Sequence, residues 1–196
     1  MKNIAIFASG SGSNAENIFC FFKQSQTIRP VLILCNRPDA FVLERAKKIG
    51  LPSVVFSREQ FVSGDVNKIL SEYSVEYIIL AGFLWLIPDI LIKQFPCKII
   101  NIHPALLPKY GGKGMYGMKV HEQVWLNKEK ESGITIHLVN EEYDKGQILF
   151  QARCAIDNSD TPETIAKKIH QLEYLHYPAV IQSYICGHEY KPAANN

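Results

Sequence analysis

The chain has 196 residues, 47% hydrophobic and 20% charged, with a formal net charge of +2. That length suits one compact domain with a sizeable core, and that composition excludes a disordered chain. The charge is too small to indicate a nucleic-acid or membrane surface, no apolar run reaches bilayer length, and the five scattered cysteines form no C-x-x-C pair, which argues against a disulfide framework or structural zinc.

The N-terminus runs straight into Asn3 to Ala8, a buried-strand pattern with no long apolar leader, so the reducing cytoplasm is the expected compartment. Asn14 to Lys23 reads as a helix with Ser13 as its N-cap. Pro30 to Cys35 is a second strand and Asp39 to Ile49 a second helix, stopped by Gly50-Leu51-Pro52. Ser53 to Phe56 is a short strand, and Arg58 to Tyr73 is helical with a break near Gly64. Tyr77 to Leu80, Pro88 to Phe95 and Lys98 to Asn101 then give strand, helix, strand. This alternation predicts an α/β fold: one domain with a mostly parallel twisted sheet and helices on both faces. After Pro108 come a glycine-rich loop, Gly111 to Gly117, and a helix from Val120 to Leu126. Gly133 to Val139 and Gln147 to Ala152 suggest an antiparallel hairpin added to the sheet. Asp160-Thr161-Pro162-Glu163 starts a last helix that reaches near Ile185, with Pro178 a candidate break, and the chain after Gly187 reads as frayed.

The most informative stretch is Asn101-Ile102-His103-Pro104-Ala105-Leu106-Leu107-Pro108. In an extended backbone, side chains at i and i+2 share a face, so Asn101 and His103 project together at the mouth of the sheet. An amide donor beside an imidazole can stabilise an oxyanion and move a proton. Pro104 and Pro108 stiffen the segment that follows.

Gly10-Ser11-Gly12-Ser13-Asn14 lies between the first strand and first helix, where backbone N–H groups form an anion site. Through Ala15 it also loosely fits the dinucleotide pattern G-x-G-x-x-A. That rival expects a carboxylate ending the second strand, but the strand ends Asn36-Arg37-Pro38, and Arg37 leaves NADP open. Asp144 lies in a polar turn, where aspartate is common for local reasons, and no spacing shows that it reaches His103. His137 reads as structural, His121 as either near the site or on a helix surface, and His170 and His176 as helix faces. None has metal-ligand spacing, so no metal is expected. Glu173 and Lys167-Lys168 read as solvated, and Phe83 and Trp85 as core.

Together these residues resemble the formyltransferase family that uses 10-formyltetrahydrofolate. The resemblance spans essentially the whole chain: Gly10 to Asn14, Ala81-Gly82-Phe83, Asn101 to Tyr110, Asp144-Lys145-Gly146-Gln147-Ile148, and Glu173 with Tyr177-Pro178. Within that family it is to the members that act on 5′-phosphoribosylglycinamide in purine synthesis. The resemblance implies that Asn101, His103 and Asp144 are catalytic. It implies that Gly12, Ser13 and Asn14 hold the phosphate of glycinamide ribonucleotide and that Glu173 contacts the same nucleotide. Leu84, Trp85, Leu86 and Ile87, with Val139, Asn140 and Glu141, would border the folate co-substrate. The implied reaction is attack of the glycine amine on the formyl carbon. Asn101 and His103 would donate to the oxyanion, and Asp144 would orient His103 or a water; no covalent enzyme intermediate is needed. Small-molecule substrates, a monomer or homodimer, and a formyltransferase domain over 1–188 with a tail over 189–196 complete the expectation.

The chain departs from the family at Trp85, where arginine commonly follows the residue matching Leu84. It also has Gly64 where some members carry an arginine for the folate's glutamate tail; Arg58 is nearby. The loop Tyr110 to Met118 is longer and richer in glycine than in some relatives, either a substrate-facing flap or an insertion. Methionyl-tRNA formyltransferase adds a C-terminal barrel domain, which a chain ending at Asn196 leaves no room for. Formyltetrahydrofolate deformylase, which adds an N-terminal regulatory domain, and a non-catalytic nucleotide-binding module are the alternatives. Sugar-nucleotide formyltransferases fit the early loop less well.

Overall fold

Alternation along the first strand sets the layers. In β1 (Lys2–Ala8), Ile4, Ile6 and Ala8 enter one apolar cluster and Ala5 and Phe7 the other, all fully buried. A strand that is apolar on both faces needs helices on both sides. The structure, a computed structural model, describes residues 1–192. The first cluster is closed by α1 (Ser13–Phe22), α2 (Val42–Ile49), α6 (Met118–Leu126) and the long α7 (Pro162–Ile185). The second is closed by α3 (Arg58–Ser63), α4 (Asp65–Glu72) and α5 (Asp89–Gln94).

With β2 (Ile28–Cys35), β3 (Ser53–Val55), β4 (Tyr77–Leu80), β5 (Ile99–His103), β6 (Glu131–Leu138) and β7 (Ile148–Ala155), the strands form one seven-stranded sheet in the order β3-β2-β1-β4-β5-β6-β7. The first five are parallel; β6 and β7 add antiparallel pairings. The chain progresses outward from β1 to β3, then returns to pair β4 on the other side of β1. Ligands bind at such a reversal, outside the carboxyl ends of the strands. The loops leaving β1 and β4 meet there, where the Leu84 N–H donates to Ser9 Oγ at 3.1 Å and the Ser9 N–H to the Gly82 carbonyl at 3.0 Å.

Four expectations are corrected. Ser13 is not the N-cap of α1: Gly12 takes that position with φ 74°, and no side chain caps the helix. Gly12 suits the position because a Cβ there would overlap Val42 and the φ is left-handed. The helix expected from Asp39 begins at Val42, after a turn closed by the Ala40 N–H on the Arg37 carbonyl at 3.2 Å. Pro178 does not break α7, which runs unbroken through it. A helical proline orphans the carbonyl four residues earlier; here that is Tyr174, which accepts from Asn17 Nδ2 of α1 at 3.0 Å. The segment after Gly187 is not frayed as far as Tyr190, whose hydroxyl meets His176 Nδ1 at 2.9 Å while its ring packs edge-on to Phe150. Residues 193–196 lie outside the described residues.

Candidate active site

Strand β5 continues two residues beyond its expected end, so both Asn101 and His103 sit within the ladder. Antiparallel register places His137 opposite Asn101 and Thr135 opposite His103. Thr135 is fully buried. Its hydroxyl donates to the Ala105 carbonyl at 2.7 Å and accepts from the Leu107 N–H at 3.0 Å and Gln151 Nε2 at 2.9 Å. The segment after His103 is thus fastened to β6, with a cis peptide at Leu107–Pro108.

Hydrogen-bond partners fix the tautomers. A carbonyl only accepts, so His103 Nε2–H donates to the Tyr110 carbonyl at 2.8 Å. His103 Nδ1 faces Asp144 Oδ2 at 3.6 Å, an electrostatic contact longer than a hydrogen bond. Likewise His137 Nδ1–H donates to the Leu138 carbonyl at 2.8 Å, leaving Nε2 to accept from Asn101 Nδ2 at 3.0 Å. That contact sets which end of the Asn101 amide is which and leaves its second N–H free.

Asp144 reaches this group from the turn between β6 and β7, at φ 56°. Its Oδ2 accepts from the Gly112 N–H at 2.8 Å, and its Oδ1 lies 3.6 Å from His137 Nε2. Gly146 permits the turn, because a Cβ there would collide with the Leu138 carbonyl. Burial raises the Asp144 carboxyl, but interactions with His137, His103 and the Gly112 N–H together outweigh it and hold the group below its ordinary value. Burial pushes His103 below 6.5; Asp144 and the Tyr110 carbonyl pull it only partly back.

These groups open on a cleft of about 680 Å³, a size suited to small-molecule ligands. Gly12, Ser13 and Asn14 line one end. With no side-chain cap on α1, its first N–H groups stay open to an anion. The Asn14 side chain turns elsewhere, its Nδ2 donating to Glu173 Oε2 at 2.9 Å, and that oxygen also meets His170 Nδ1 at 2.8 Å. Glu173 is 5% exposed, so the expectation of a solvated face is corrected: α7 packs that turn under the sheet. Tyr177, one turn on, shares its hydroxyl between the Leu80 and Ile100 carbonyls at 2.9 and 3.1 Å.

Another part of the wall is apolar, formed by Leu84, Trp85, Leu86, Ile87 and Val139. Phe83 and Trp85 belong both to this wall and to an aromatic cluster with Phe7, Phe56 and Phe61, so core and site readings hold together. Arg58 stands 5.0 Å over the Trp85 ring. Gly64 joins α3 to α4 at φ 89°. Asn140 and Glu141 are not on the wall. Asn140 Oδ1 accepts from the Glu142 N–H at 3.1 Å, closing the turn, and Glu141 is exposed; Glu142 and Tyr143 face the cleft instead. The glycine-rich loop from Gly112 to Gly117 is also on the wall.

Sequence reading took His137 as structural, left His121 open and put His170 on a helix face; all three line the cleft. The signal for His137 was its pairing with Asn101, which required the β5–β6 register. Among the described residues no group of three His, Cys, Asp or Glu side chains has an arrangement suited to a metal, and no helix is long and apolar enough to cross a membrane.

An uncapped helix start, an apolar wall and an Asn–His–Asp group in one cleft are the features that group transfer between two small substrates requires. The family described as formyl transferase matches residues 2–181, and the chain belongs to that family. Among its relatives is the phosphoribosylglycinamide formyltransferase of Bacillus subtilis, 39% identical, with 93% of this chain and 94% of the relative covered. The chloroplastic enzyme of that name from Arabidopsis thaliana is 40% identical over 97% of this chain and 67% of its own. The crystal structure of phosphoribosylglycinamide formyltransferase from Bacillus halodurans superimposes with a TM-score of 0.85 at 34% identity, covering 94% of this chain and 95% of that one.

Proposed function

We propose that this chain transfers a formyl group from 10-formyltetrahydrofolate to the glycine amine of 5′-phosphoribosylglycinamide, a step of purine synthesis. The observation that carries the reading is that β5 and the β6–β7 turn bring Asn101, His103 and Asp144 together in one cleft that also holds the open start of α1 and an apolar wall. The N–H groups of Gly12, Ser13 and Asn14 hold the phosphate, and Glu173 accepts from the ribose. The apolar wall takes the folate ring, which delivers the activated formyl group.

Transfer forms a bond from the amine nitrogen to the formyl carbon and breaks the carbon's bond to the folate nitrogen. The free N–H of Asn101 donates to the negative charge that develops on the formyl oxygen. His103 accepts the amine proton at Nδ1, the nitrogen not committed to the Tyr110 carbonyl, and returns it to the leaving nitrogen. Asp144 balances the imidazolium so formed. This refines the sequence-based role of His103. In its neutral ring the only N–H is held by Tyr110, so donation to the oxyanion requires the protonated form. Positioning two substrates supplies much of the remaining rate.

The proposed setting is cytoplasmic, which the free cysteines favour, with a monomer or homodimer as the working unit. Asn101→Ala should lower kcat by about 10²- to 10³-fold, the usual cost of an oxyanion donor, with little change in KM. Wild-type turnover in that variant would remove Asn101 from the reaction.

A further inference from the structure

His121 has no role in the mechanism above, yet it is buried where a surface helix would have kept it wet. It lies one turn into α6, is 3% exposed, and lines the cleft. Among the described residues neither of its ring nitrogens has a hydrogen-bond partner, and Nδ1 is closed off from water. Burial pushes the ring down to about 4, with His170 and His103 acting in the same direction and Glu173 against them, so it is neutral at physiological pH. His121 shares the lining of this cleft with His103, His170 and Glu173.

A second unmet group lies on the same side. Asn14 Nδ2 is committed to Glu173, but Asn14 Oδ1 is buried without a partner and Asn14 lines the same cleft. A buried polar atom without a partner is unfavourable, and two such atoms on residues that line one cleft mark a place shaped for a polar ligand. The donor and acceptor inventory is specific. Glu173 and Asn14 Oδ1 only accept, whereas a neutral imidazole carries one N–H. A hydroxyl pair both donates and accepts, and it satisfies this set where a carbonyl or a second carboxylate would not.

We propose that His121 is a specificity-determining residue that donates to a ribose hydroxyl of the nucleotide substrate, completing a diol subsite with Glu173 and Asn14 Oδ1. This rests on the function proposed above. In a diol bound in this way one hydroxyl donates to Glu173 and the other to Asn14 Oδ1, and one of the two accepts a hydrogen bond from His121. Its consequence is discrimination by the sugar and not by the folate.

The test measures steady-state kinetics of His121→Phe and His121→Gln with glycinamide ribonucleotide and with its 2′,3′-dideoxy analogue, alongside thermal unfolding. Wild-type turnover with the natural nucleotide tests the formyltransferase reading separately. The expected result is a rise of about tenfold in nucleotide KM for His121→Phe, equivalent to ~1.4 kcal/mol. Folate KM should stay within about twofold and His121→Gln should recover part of the loss. With the dideoxy analogue, wild type and His121→Phe should converge. An unchanged nucleotide KM overturns the proposal. So does an equal loss on both nucleotides, with or without a lower Tm, because that outcome makes His121 a packing residue only.

Discussion

His137→Phe isolates a group that touches Asn101 and lies opposite it on the neighbouring strand. The ring keeps its volume in a fully packed strand, so the fold should survive, but the acceptor for Asn101 Nδ2 at 3.0 Å disappears. A half-buried N–H then loses its protein partner, which costs at most about 1–3 kcal/mol. The Asn101 amide is also free to turn its oxygen toward the developing oxyanion, which repels it. At 1.36 kcal/mol per decade, kcat should fall about 10- to 100-fold with little change in either KM. The residues proposed to hold phosphate and pterin are other ones, Gly12 to Asn14 and Leu84 to Ile87. The decisive assay is the cycle with Asn101→Ala. If His137 acts only through Asn101, the double variant should be no slower than Asn101→Ala alone. Losses that multiply would refute this reasoning and give His137 a contact of its own with the reacting atoms; an unchanged kcat in His137→Phe would refute it outright.

Other consequences can be measured independently. Asp144 pulls the buried His103 upward, so Asp144→Asn should move the His103 titration, followed by NMR, further below 6.5; an upward shift contradicts the ion pair. Thr135→Val leaves the Leu107 N–H and Ala105 carbonyl without their hydroxyl partner and should cost about 2–3 kcal/mol in urea unfolding. Asp160 is held down at about 2 by Lys168, the Asp157 N–H and Thr164, below its ordinary 3.8. A depressed carboxylate stabilises the fold above its unfolded value and loses that contribution as pH falls through the folded one. Acid unfolding of Asp160→Asn should therefore depend less on pH between about 4 and about 2 than that of the wild type.

The sheet and its helices were readable because both depend on local periodicity: Ile4, Ile6 and Ala8 against Ala5 and Phe7 already announce two buried faces. Asn101 and His103 were readable for the same reason, since two residues on one strand need no tertiary knowledge to share a face. Asp144 was not, because its approach to His103 depends on how the β6–β7 turn returns over β5; only resemblance pointed to it. His137 and His121 were hidden by distance in sequence, one paired across strands and the other buried by helix packing. Pro178 misled because its cost was judged within α7, while the partner for the freed carbonyl comes from Asn17 on α1. Glu173 misled in the same way: a carboxylate on a helix reads as solvated until Asn14 and His170 are seen beside it.

The most direct test of the account is formyl transfer by the purified chain with 10-formyltetrahydrofolate, with and without 5′-phosphoribosylglycinamide, scoring formylated nucleotide and free formate. The account predicts formylated nucleotide in step with folate consumed, and no formate when the nucleotide is omitted. Formate released without nucleotide, or no transfer with both substrates present, would contradict it.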